Sequence, residues 1–408
     1  MSALESTRSE SHSLIVLVGI VLSLSLFHYL HDTAKFLAQA PFIDFAHYYT
    51  YASVVKLGQN PFDPQVVAQV EQGLNLRRAA APPNYPPLFY LFMQPFLLLP
   101  FRAAAWVWFF ISQACLVGTF LLCLRRFGAS TPLRVTAALF VIFTYQPLME
   151  DLALGQANLL LLFLLTLGWW SLHARNPWIT GIAVATALHI KIQFALVVPI
   201  LWWVGQQRAA WCAALLAGMG TIFGIIILGP LHYLQYLQYI VGLPPDLVAW
   251  VPNLSLRGTL HRLFSDVTSG VVWADGIWLA ASFCVLTFLA NRVPRSTPPN
   301  SLALDWSWGL ALSAVLLVSP HTLEHHLVVL LLPITLLLLC PPTHPGRLNH
   351  LGVLIGSILL LGARYSLDQF PEFHKGLPSL LMTGKLLGLV LLTWALVRRV
   401  KEKEAPAP

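Results

Sequence analysis

The segment Ala103–Leu124 reads AAAWVWFFISQACLVGTFLLCL and carries no charged side chain over 22 residues. An α-helix rises about 1.5 Å per residue, so a helix of this length matches the roughly 30 Å hydrocarbon core of a bilayer. Two basic residues, Arg125 and Arg126, follow it directly. The segment is therefore predicted to be a transmembrane helix that ends at a basic surface.

The composition of the whole chain supports the same class of protein. Of the 408 residues, 57% are hydrophobic and only 10% are charged, whereas soluble globular domains carry about 25% charged residues. This excludes a water-soluble enzyme and a nucleic-acid-binding protein. Apolar runs recur from Leu14 to Val397 without a long polar interval. The sequence predicts an all-α integral membrane protein, because helices satisfy their own backbone hydrogen bonds in lipid.

Twelve apolar segments are bounded by charges or by Pro and Gly. They are Leu14–Leu30, Pro86–Pro100, Ala103–Leu124, Leu133–Met149, Ala157–His173, Trp178–Val204, Ala209–Leu228, Val271–Ala290, Trp306–Val318, His326–Cys340, Leu348–Ala363 and Pro378–Val397. They predict one transmembrane domain over residues 14–397 with about 11–13 membrane segments. Two long extracytoplasmic loops are predicted at 31–85 and 229–270, and cytoplasmic tails at 1–13 and 398–408.

The first apolar segment is predicted to be a retained span. A small-x-small sequence, Ala38-Gln39-Ala40, follows it and resembles a signal-peptide cleavage site. However, Leu14–Leu30 exceeds the roughly 7–15 apolar residues of a signal peptide, and Pro41 would follow the cut. The five cysteines lie inside apolar runs without metal-binding spacing, which is typical of small buried hydrophobic residues.

The net charge of +7 is interpreted as an orientation signal. The basic residues fall on one side only if two of the segments do not cross the membrane as single helices. Pro86–Pro100 is therefore predicted to re-enter on one side, and Trp178–Val204 to be a broken pair of half-helices. A set of basic residues at the segment ends then shares one side, which the positive-inside rule makes cytoplasmic. They are Arg125, Arg126, Arg134, Arg175, Arg208, Arg292, Arg295, Arg347 and the cluster at 398–403. Both termini are predicted to be cytoplasmic.

Lys191 gives an independent reason for the break. An unbroken helix over Trp178–Val204 would place this lysine at its midpoint, at a cost of about 2.5–3.5 kcal/mol on insertion scales. A break near residues 189–193 instead places the ammonium group at the outer surface or in a wet cavity. Attraction of a phosphate is the best account of a cation at this depth.

With this topology the polar motifs collect at the outer face. Asp44 lies among aromatic residues after the first span, where its carboxylate is either a helix cap or a proton acceptor with a raised pKa. His47 and Tyr48 share its face if the segment is helical. Asp63, in Asn60-Pro61-Phe62-Asp63-Pro64, is interpreted as a turn residue.

The remaining polar residues have two interpretations each. Gln156 and Asn158 either join helices or bind substrate, and Arg257 contacts either a headgroup or a donor phosphate. His321, Glu324, His325 and His326 have no zinc-site spacing, so a polar pocket wall is favoured over a metal site. No metal or cofactor is predicted.

The ordered motifs resemble those of glycosyltransferase family 87. The strings are Asp44-Phe-x-x-Tyr-Tyr-x-x-Ala, Gly58-x-Asn60-Pro61-Phe62-Asp63-Pro64 and Tyr85-Pro86-Pro87-Leu88-Phe89. Further motifs follow in the family's order: Gly155-Gln156-x-Asn158, Lys191, Asn253-x-Ser255-Leu256-Arg257-Gly258 and Ser319-Pro320 with His325-His326. The resemblance runs from about Phe42 to His326, and no single motif in it is specific.

The resemblance implies a GT-C-type bundle and an inverting transferase that uses a polyprenyl-phosphate-linked sugar, with mannose favoured. It implies that Asp44 is the general base. His47, Tyr48, Gln156, Asn158, Lys191, Asn253, Arg257, His325 and His326 are the predicted substrate-binding residues. The expected acceptor is a lipid or glycan hydroxyl outside the plasma membrane. Neither acceptor identity nor oligomeric state follows.

Two other classes of function remain open on the sequence. A transporter or lipid flippase would place its ionisable residues near the midplane, often in repeated halves. Here they gather toward one surface and no repeat is visible. A catalytically silent scaffold of the same fold is the second alternative.

Overall fold

The chain folds into α-helices. The computed structural model describes residues 2–39, 42–76, 83–128, 130–340, 347–365 and 367–400. No β-strand occurs in these ranges. Since five helices are long and apolar enough to cross a membrane, the predicted all-α membrane protein is confirmed.

The first half of the chain contains ten helices in the described ranges. They are α1 (Ser2–Gln39), α2 (Ile43–Lys56), α3 (Pro64–Gly73), α4 (Pro87–Met93), α5 (Phe101–Arg126), α6 (Pro132–Thr144), α7 (Gln146–Leu154), α8 (Asn158–His173), α9 (Pro177–Ile190) and α10 (Val197–Trp203). Short 3-10 helices at Gln94–Leu98 and Ile192–Leu196 follow α4 and precede α10.

The second half of the described chain adds nine. They are α11 (Gln207–Leu228), α12 (Pro230–Val241), α13 (Pro245–Val248), α14 (Leu256–Leu263), α15 (Gly270–Ala290), α16 (Leu302–Val318), α17 (Leu331–Leu339), α18 (Arg347–Gly362) and α19 (Gly384–Val400). The 3-10 helices here are Glu324–Leu330, Leu367–Gln369, Pro371–Phe373 and Leu377–Thr383.

Spans of full length alternate with shorter apolar helices. The five long spans are Val16–Gln39, Phe101–Arg126, Gln207–Leu228, Gly270–Ala290 and Leu377–Val400. The pair α6–α7 is a sixth candidate, bent by 48° at its break. Seven further apolar helices in the described ranges are only 10–17 residues long. The short helices need protein around their ends, because a lipid-exposed helix end has unpaired backbone groups.

The break predicted in Trp178–Val204 lies at Lys191. Helix α9 ends at Ile190, and Lys191 adopts an extended backbone with φ −141° and ψ 107°. A 3-10 turn and α10 then complete the segment. Pro86–Pro100 likewise forms a short helix and a 3-10 turn.

The loop and tail predicted at the start of the chain are more helical than expected. The predicted tail 1–13 is part of α1 from Ser2 onward, and α1 continues to Gln39. The region 31–85 then contains α2 and α3. Asp63 is the N-cap of α3 and accepts a hydrogen bond from Gln65 N at 2.9 Å, which confirms it as a turn residue. Ala40, Pro41 and the tail 401–408 lie outside the described residues.

The side chains at the centre of the bundle are mostly apolar, and so are the side chains exposed on its outer surface. In α16 every residue from Leu304 to Val318 is buried. By contrast α11 and α15 expose large side chains such as Met219 and Phe283, which are 63% and 72% exposed. A helix that is hydrophobic all round and exposed on one face is suited to contact lipid.

Several basic residues lie at one end of the bundle. Arg126 at the end of α5 donates to Asn300 O and pairs with Asp305, at 2.9 Å in each case. Arg399 donates to Cys340 O, and Ser130 in the adjoining turn donates to Leu339 O. These contacts join the ends of α5, α17 and α19 to the start of α16.

We predict that Gly181 is required for the close packing of α9 on α11. A Cβ atom at Gly181 would lie 2.5 Å from Cys212 Cβ and 3.0 Å from its backbone carbon. Gly181→Ala should therefore destabilise the protein by about 1–3 kcal/mol, the usual cost of overpacking. Thermal unfolding in detergent measures this change.

The matched control is Gly218→Ala on α11, where an added Cβ meets nothing within 4 Å. It should leave the melting temperature unchanged or raise it, because alanine favours helix by about 1 kcal/mol over glycine. Equal melting temperatures for the two variants would contradict the role assigned to Gly181.

Candidate active site

Asp44 lies in the first turn of α2 and is partly exposed. Its carboxylate does not cap the helix, because no side chain caps the N-terminus of α2. Instead Asp44 Oδ2 accepts a hydrogen bond from Gln156 Nε2 at 2.7 Å. The cap interpretation of Asp44 is therefore wrong, and the carboxylate is held by a side chain 112 positions away in the chain.

Gln156 is fixed from its other side by two phenols. Tyr48 Oη and Tyr85 Oη lie 2.8 and 2.6 Å from Gln156 Oε1, and 2.6 Å from each other. Because an amide oxygen only accepts and its nitrogen only donates, these contacts direct the amide nitrogen at Asp44. We name Asp44, Tyr48, Tyr85 and Gln156 the Asp44 network.

The turn between α7 and α8 allows this approach. Gly155 has φ +69°, a left-handed conformation that suits glycine. A Cβ atom there would also lie 2.9 Å from Phe45 Cβ. Trp108 Nε1 on α5 donates to Gly155 O at 3.0 Å. Gly155 thus lets α2 pack directly on the turn that carries Gln156.

Lys191 approaches the same network from the break after α9. Its ammonium nitrogen lies 5.8 Å from the centre of the Tyr85 ring, within the range of a cation–π contact. Its positive charge acts on Asp44. In the described part of the chain, neither Asp44 nor Lys191 has an ion-pair partner within 4.0 Å.

His325 and His326 occupy the 3-10 helix before α17. Both are buried, and their rings meet edge to face with centroids 4.7 Å apart. His325 Nδ1 lies 3.4 Å from Glu150 Oε1. His326 Nδ1 accepts a hydrogen bond from Leu323 N. The structure therefore places His325 nearer the carboxylate chemistry, and His326 in the support of its own loop.

The surroundings of Asp44 raise its pKa above the ordinary value of 3.8, with burial as the main cause. His325, the hydrogen bond from Gln156 and the charge of Lys191 act in the opposite direction. A carboxylate with a raised pKa is a stronger base once it is ionised. The arrangement therefore equips Asp44 to accept a proton from a hydroxyl group.

Asn158 lies below the network and is completely buried. Its Nδ2 donates to Asp151 Oδ1 at 2.8 Å. The partner oxygens Asp151 Oδ2 and Asn158 Oδ1 have no hydrogen-bond partner in the described residues. This location favours the interpretation of Asn158 as a residue that joins α7 to α8.

Asn253 forms the connection between two loops. Its Nδ2 donates to Val248 O and Pro320 O, and its Oδ1 accepts from Ser255 N and Thr322 N. All four hydrogen-bonding positions of this buried amide are thus used by backbone. The geometry favours a positioning role over direct substrate contact.

Arg257 and His47 lie at the edges of the site. Arg257 pairs with Asp275 through two contacts of 2.6 and 3.0 Å. The His47 ring stacks on Tyr51, with centroids 5.2 Å apart, and is buried. Among the described residues, Arg257 forms no hydrogen bond or ion pair with Asp44.

Some residues of the site were not among the predicted site residues. In the sequence Tyr85 stands out only as part of the Tyr85-Pro86-Pro87 motif, and its partner Gln156, 71 positions away, is too distant to be inferred. Lys385 is buried in α19 and donates to Glu324 Oε1 at 2.7 Å. A lone cation in an apolar run, the signal that selected Lys191, also marks Lys385. Among the described residues no group of three His, Cys, Asp or Glu side chains could hold a metal ion.

Comparison with known proteins gives two matches. The family model of glycosyltransferase family 87 matches residues 84–320. A curated protein of Mycobacterium tuberculosis (strain CDC 1551 / Oshkosh) is 27% identical over 322 residues, covering 76% of this chain and 71% of that protein. It is described as a polyprenol-phosphate-mannose-dependent alpha-(1-2)-phosphatidylinositol pentamannoside mannosyltransferase.

We predict that Gln156→Leu destabilises the fold because it removes the amide shared by Asp44, Tyr48 and Tyr85. A buried polar group left unpaired costs about 1–3 kcal/mol. Gln193→Leu is the matched control, because the buried Gln193 Nε2 has no hydrogen-bond partner in the described residues. Thermal unfolding should show a loss for the first variant and little change for the second; equal losses would contradict the role of Gln156.

Proposed function

The chain belongs to glycosyltransferase family 87, and on this premise we propose that it transfers mannose from a polyprenyl-phosphate-linked donor. The acceptor is a hydroxyl group of a lipid or glycan, and Asp44 is the general base. One observation carries the proposal: a partly exposed carboxylate, held by Gln156, lies within the field of Lys191 without an ion-pair partner within 4.0 Å in the described residues.

The proposed reaction is a single displacement with inversion. Asp44 takes the proton of the acceptor hydroxyl as its oxygen attacks the anomeric carbon of the donor sugar. A bond forms between this oxygen and the carbon while the bond to the phosphate oxygen breaks, and polyprenyl phosphate leaves. The fixed orientation of Asp44 by Gln156 favours the reaction, because little reorganisation remains at the moment of proton transfer.

Lys191 is proposed to stabilise the negative charge that develops on the leaving phosphate. An ammonium group aimed into a partly dry site acts more strongly than one in bulk water. Lys191 is partly exposed at its break, so a ligand can reach it. Its attraction to the Tyr85 ring and to nearby carboxylates keeps it in place before the donor binds.

The lipid part of the proposed donor is assigned to an apolar cavity of the bundle. The cavity has a volume of about 250 Å³ and lies between α15, α16 and α19. Its lining includes Leu256, the neighbour of Arg257, together with Phe288, Val390 and Trp394. Such a surface suits the first isoprene units of a lipid-linked sugar. The donor named for the mycobacterial relative supports mannose as the sugar.

The proposed orientation follows from the ends of the bundle. The basic end at Arg126 and Arg399 faces the cytoplasm by the positive-inside rule, which also places both termini there. The Asp44 network then faces the outside of the plasma membrane. The same arrangement makes 14–397 one transmembrane domain that presents its catalytic loops on one side.

We expect Asp44→Asn to lower the rate of sugar transfer by about 10²–10⁴-fold, the usual contribution of general base catalysis. Membranes containing the variant are incubated with polyprenyl-phosphate mannose and native lipid extract, and labelled product is counted. Asp63→Asn is the matched control, because this carboxylate only caps α3 and asparagine caps a helix equally well. A wild-type rate in Asp44→Asn would refute Asp44 as the base.

We expect a pH dependence governed by Asp44. The base must be ionised, so transfer should fall as the pH drops through the pKa of Asp44, at a pH above the ordinary carboxyl value of 3.8. The hydrogen bond from Gln156 lowers this pKa. Gln156→Leu should therefore move the acidic limb of the rate profile to higher pH. A shift to lower pH would be inconsistent with the proposed interaction.

A further inference from the structure

The guanidinium group of Arg257 is held by Asp275 on one edge and by the Trp278 ring on one face. Its Nε donates to Asp275 Oδ1 at 2.6 Å, and its Nη2 donates to Asp275 Oδ2 at 3.0 Å. The Trp278 ring lies 5.2 Å from the guanidinium carbon. Asp275 and Trp278 both belong to α15, one helical turn apart, so the whole group is clamped against that helix.

The opposite edge of the guanidinium is free. A guanidinium group carries five N–H donors, and the fork to Asp275 uses two of them. In the described part of the chain the hydrogen bonds of Arg257 are made by Nε and Nη2, and Nη1 has none. The Arg257 side chain is 14% exposed. Because Asp275 binds the Nε edge, the orientation of the guanidinium group is fixed, and its Nη1 edge can bind a second anion.

The loops around Arg257 connect it to the Asp44 network. Asn253 and Leu254 bond to Thr322, and Ser255 Oγ donates to Pro320 O at 3.0 Å. These contacts fix the start of α14, where Arg257 lies, against the loop that carries His321. The charges of both Lys191 and Arg257 act on His321. The half-buried His321 therefore lies within the electrostatic influence of both cations.

We propose that Asp275 is a positioning residue that holds Arg257 so that its Nη1 edge receives the phosphate of the lipid-linked donor. This rests on the proposed function and deepens it, because it assigns a phosphate-binding device beyond Lys191. Asp275 does not touch the reacting atoms. Asp275 Oδ1 also lies 2.9 Å from His261 Nε2 on α14, so the same carboxylate joins α14 to α15 and supports the donor site through Arg257.

An alternative role for Asp275 would have the opposite sign. If Asp275 only neutralised Arg257, its carboxylate would compete with the phosphate for the same cation. Removing the carboxylate would then strengthen phosphate binding, whereas loss of a positioning residue weakens it. The direction of the change in affinity thus separates the two roles.

The test measures binding of decaprenyl phosphate to the full-length chain in detergent, with decaprenol as the ligand that lacks the phosphate. Arg257→Ala should weaken decaprenyl phosphate binding about 10–100-fold, the loss expected for a hydrogen bond between charged groups. Asp275→Asn should weaken it about tenfold on the same basis. Decaprenol binding should not change in either variant.

Asp266→Asn provides the matched control, because this exposed carboxylate near α15 accepts a side-chain hydrogen bond only from the Ser265 hydroxyl in the described residues. Its affinity for both ligands should equal that of the wild type. In Arg257→Ala, adding Asp275→Asn should cause no further loss, since the device is already absent. Should Asp275→Asn fail to fold, Asp275→Glu retains the ion pair but displaces the guanidinium, and should still weaken phosphate binding several-fold.

Three results would overturn the inference: equal or tighter decaprenyl phosphate binding in the folded Asp275 variants, additive losses in the double variant, or equal losses for decaprenol. The failure of the proposed function looks different. If the wild type binds decaprenol as tightly as decaprenyl phosphate, the proposed donor class fails together with the inference. If Asp44→Asn transfers sugar normally, only the proposed base fails.

Discussion

The side-chain amide of Gln156 is the interaction on which the candidate site depends. Its oxygen accepts from Tyr48 and Tyr85, and its nitrogen donates to Asp44 at 2.7 Å. An amide can satisfy all of these groups in one orientation only. The turn after α7, the start of α2 and the entry to α4 are thereby held together, and the carboxylate points in one direction.

A second constraint is the cost of charge inside an apolar bundle. Two buried charges in the described residues have close ion-pair partners: Asp305 binds Arg126 and His173 at 2.9 and 2.7 Å, and Lys385 binds Glu324 at 2.7 Å. Such groups stabilise or position helices, because an unpaired buried charge is expensive. Asp44 and Lys191 have no ion-pair partner within 4.0 Å in the described residues, which is consistent with groups that bind a ligand.

Several features were predictable because they depend on local chemistry. The break at Lys191 follows from a lone cation inside an apolar segment. The cap at Asp63 follows from an acidic residue directly before a proline, which favours the first position of a helix. Asp44 was identifiable as an isolated carboxylate among aromatic residues. The partners Tyr85, Glu150 and Asp275 were not identifiable as partners, since each pairing depends on how distant segments pack.

The sequence by itself determined the class of the protein, its apolar segments and the residue types available for chemistry, because composition and hydrophobic periodicity act within single segments. The tertiary structure alone decided which polar groups meet. It joined Gln156 to Asp44 and paired Arg257 with Asp275. It also bonded the side-chain amide of Asn253 to backbone groups of neighbouring loops. The reason is physical: a hydrogen bond requires two atoms within about 3 Å, and no single segment specifies where another segment will lie.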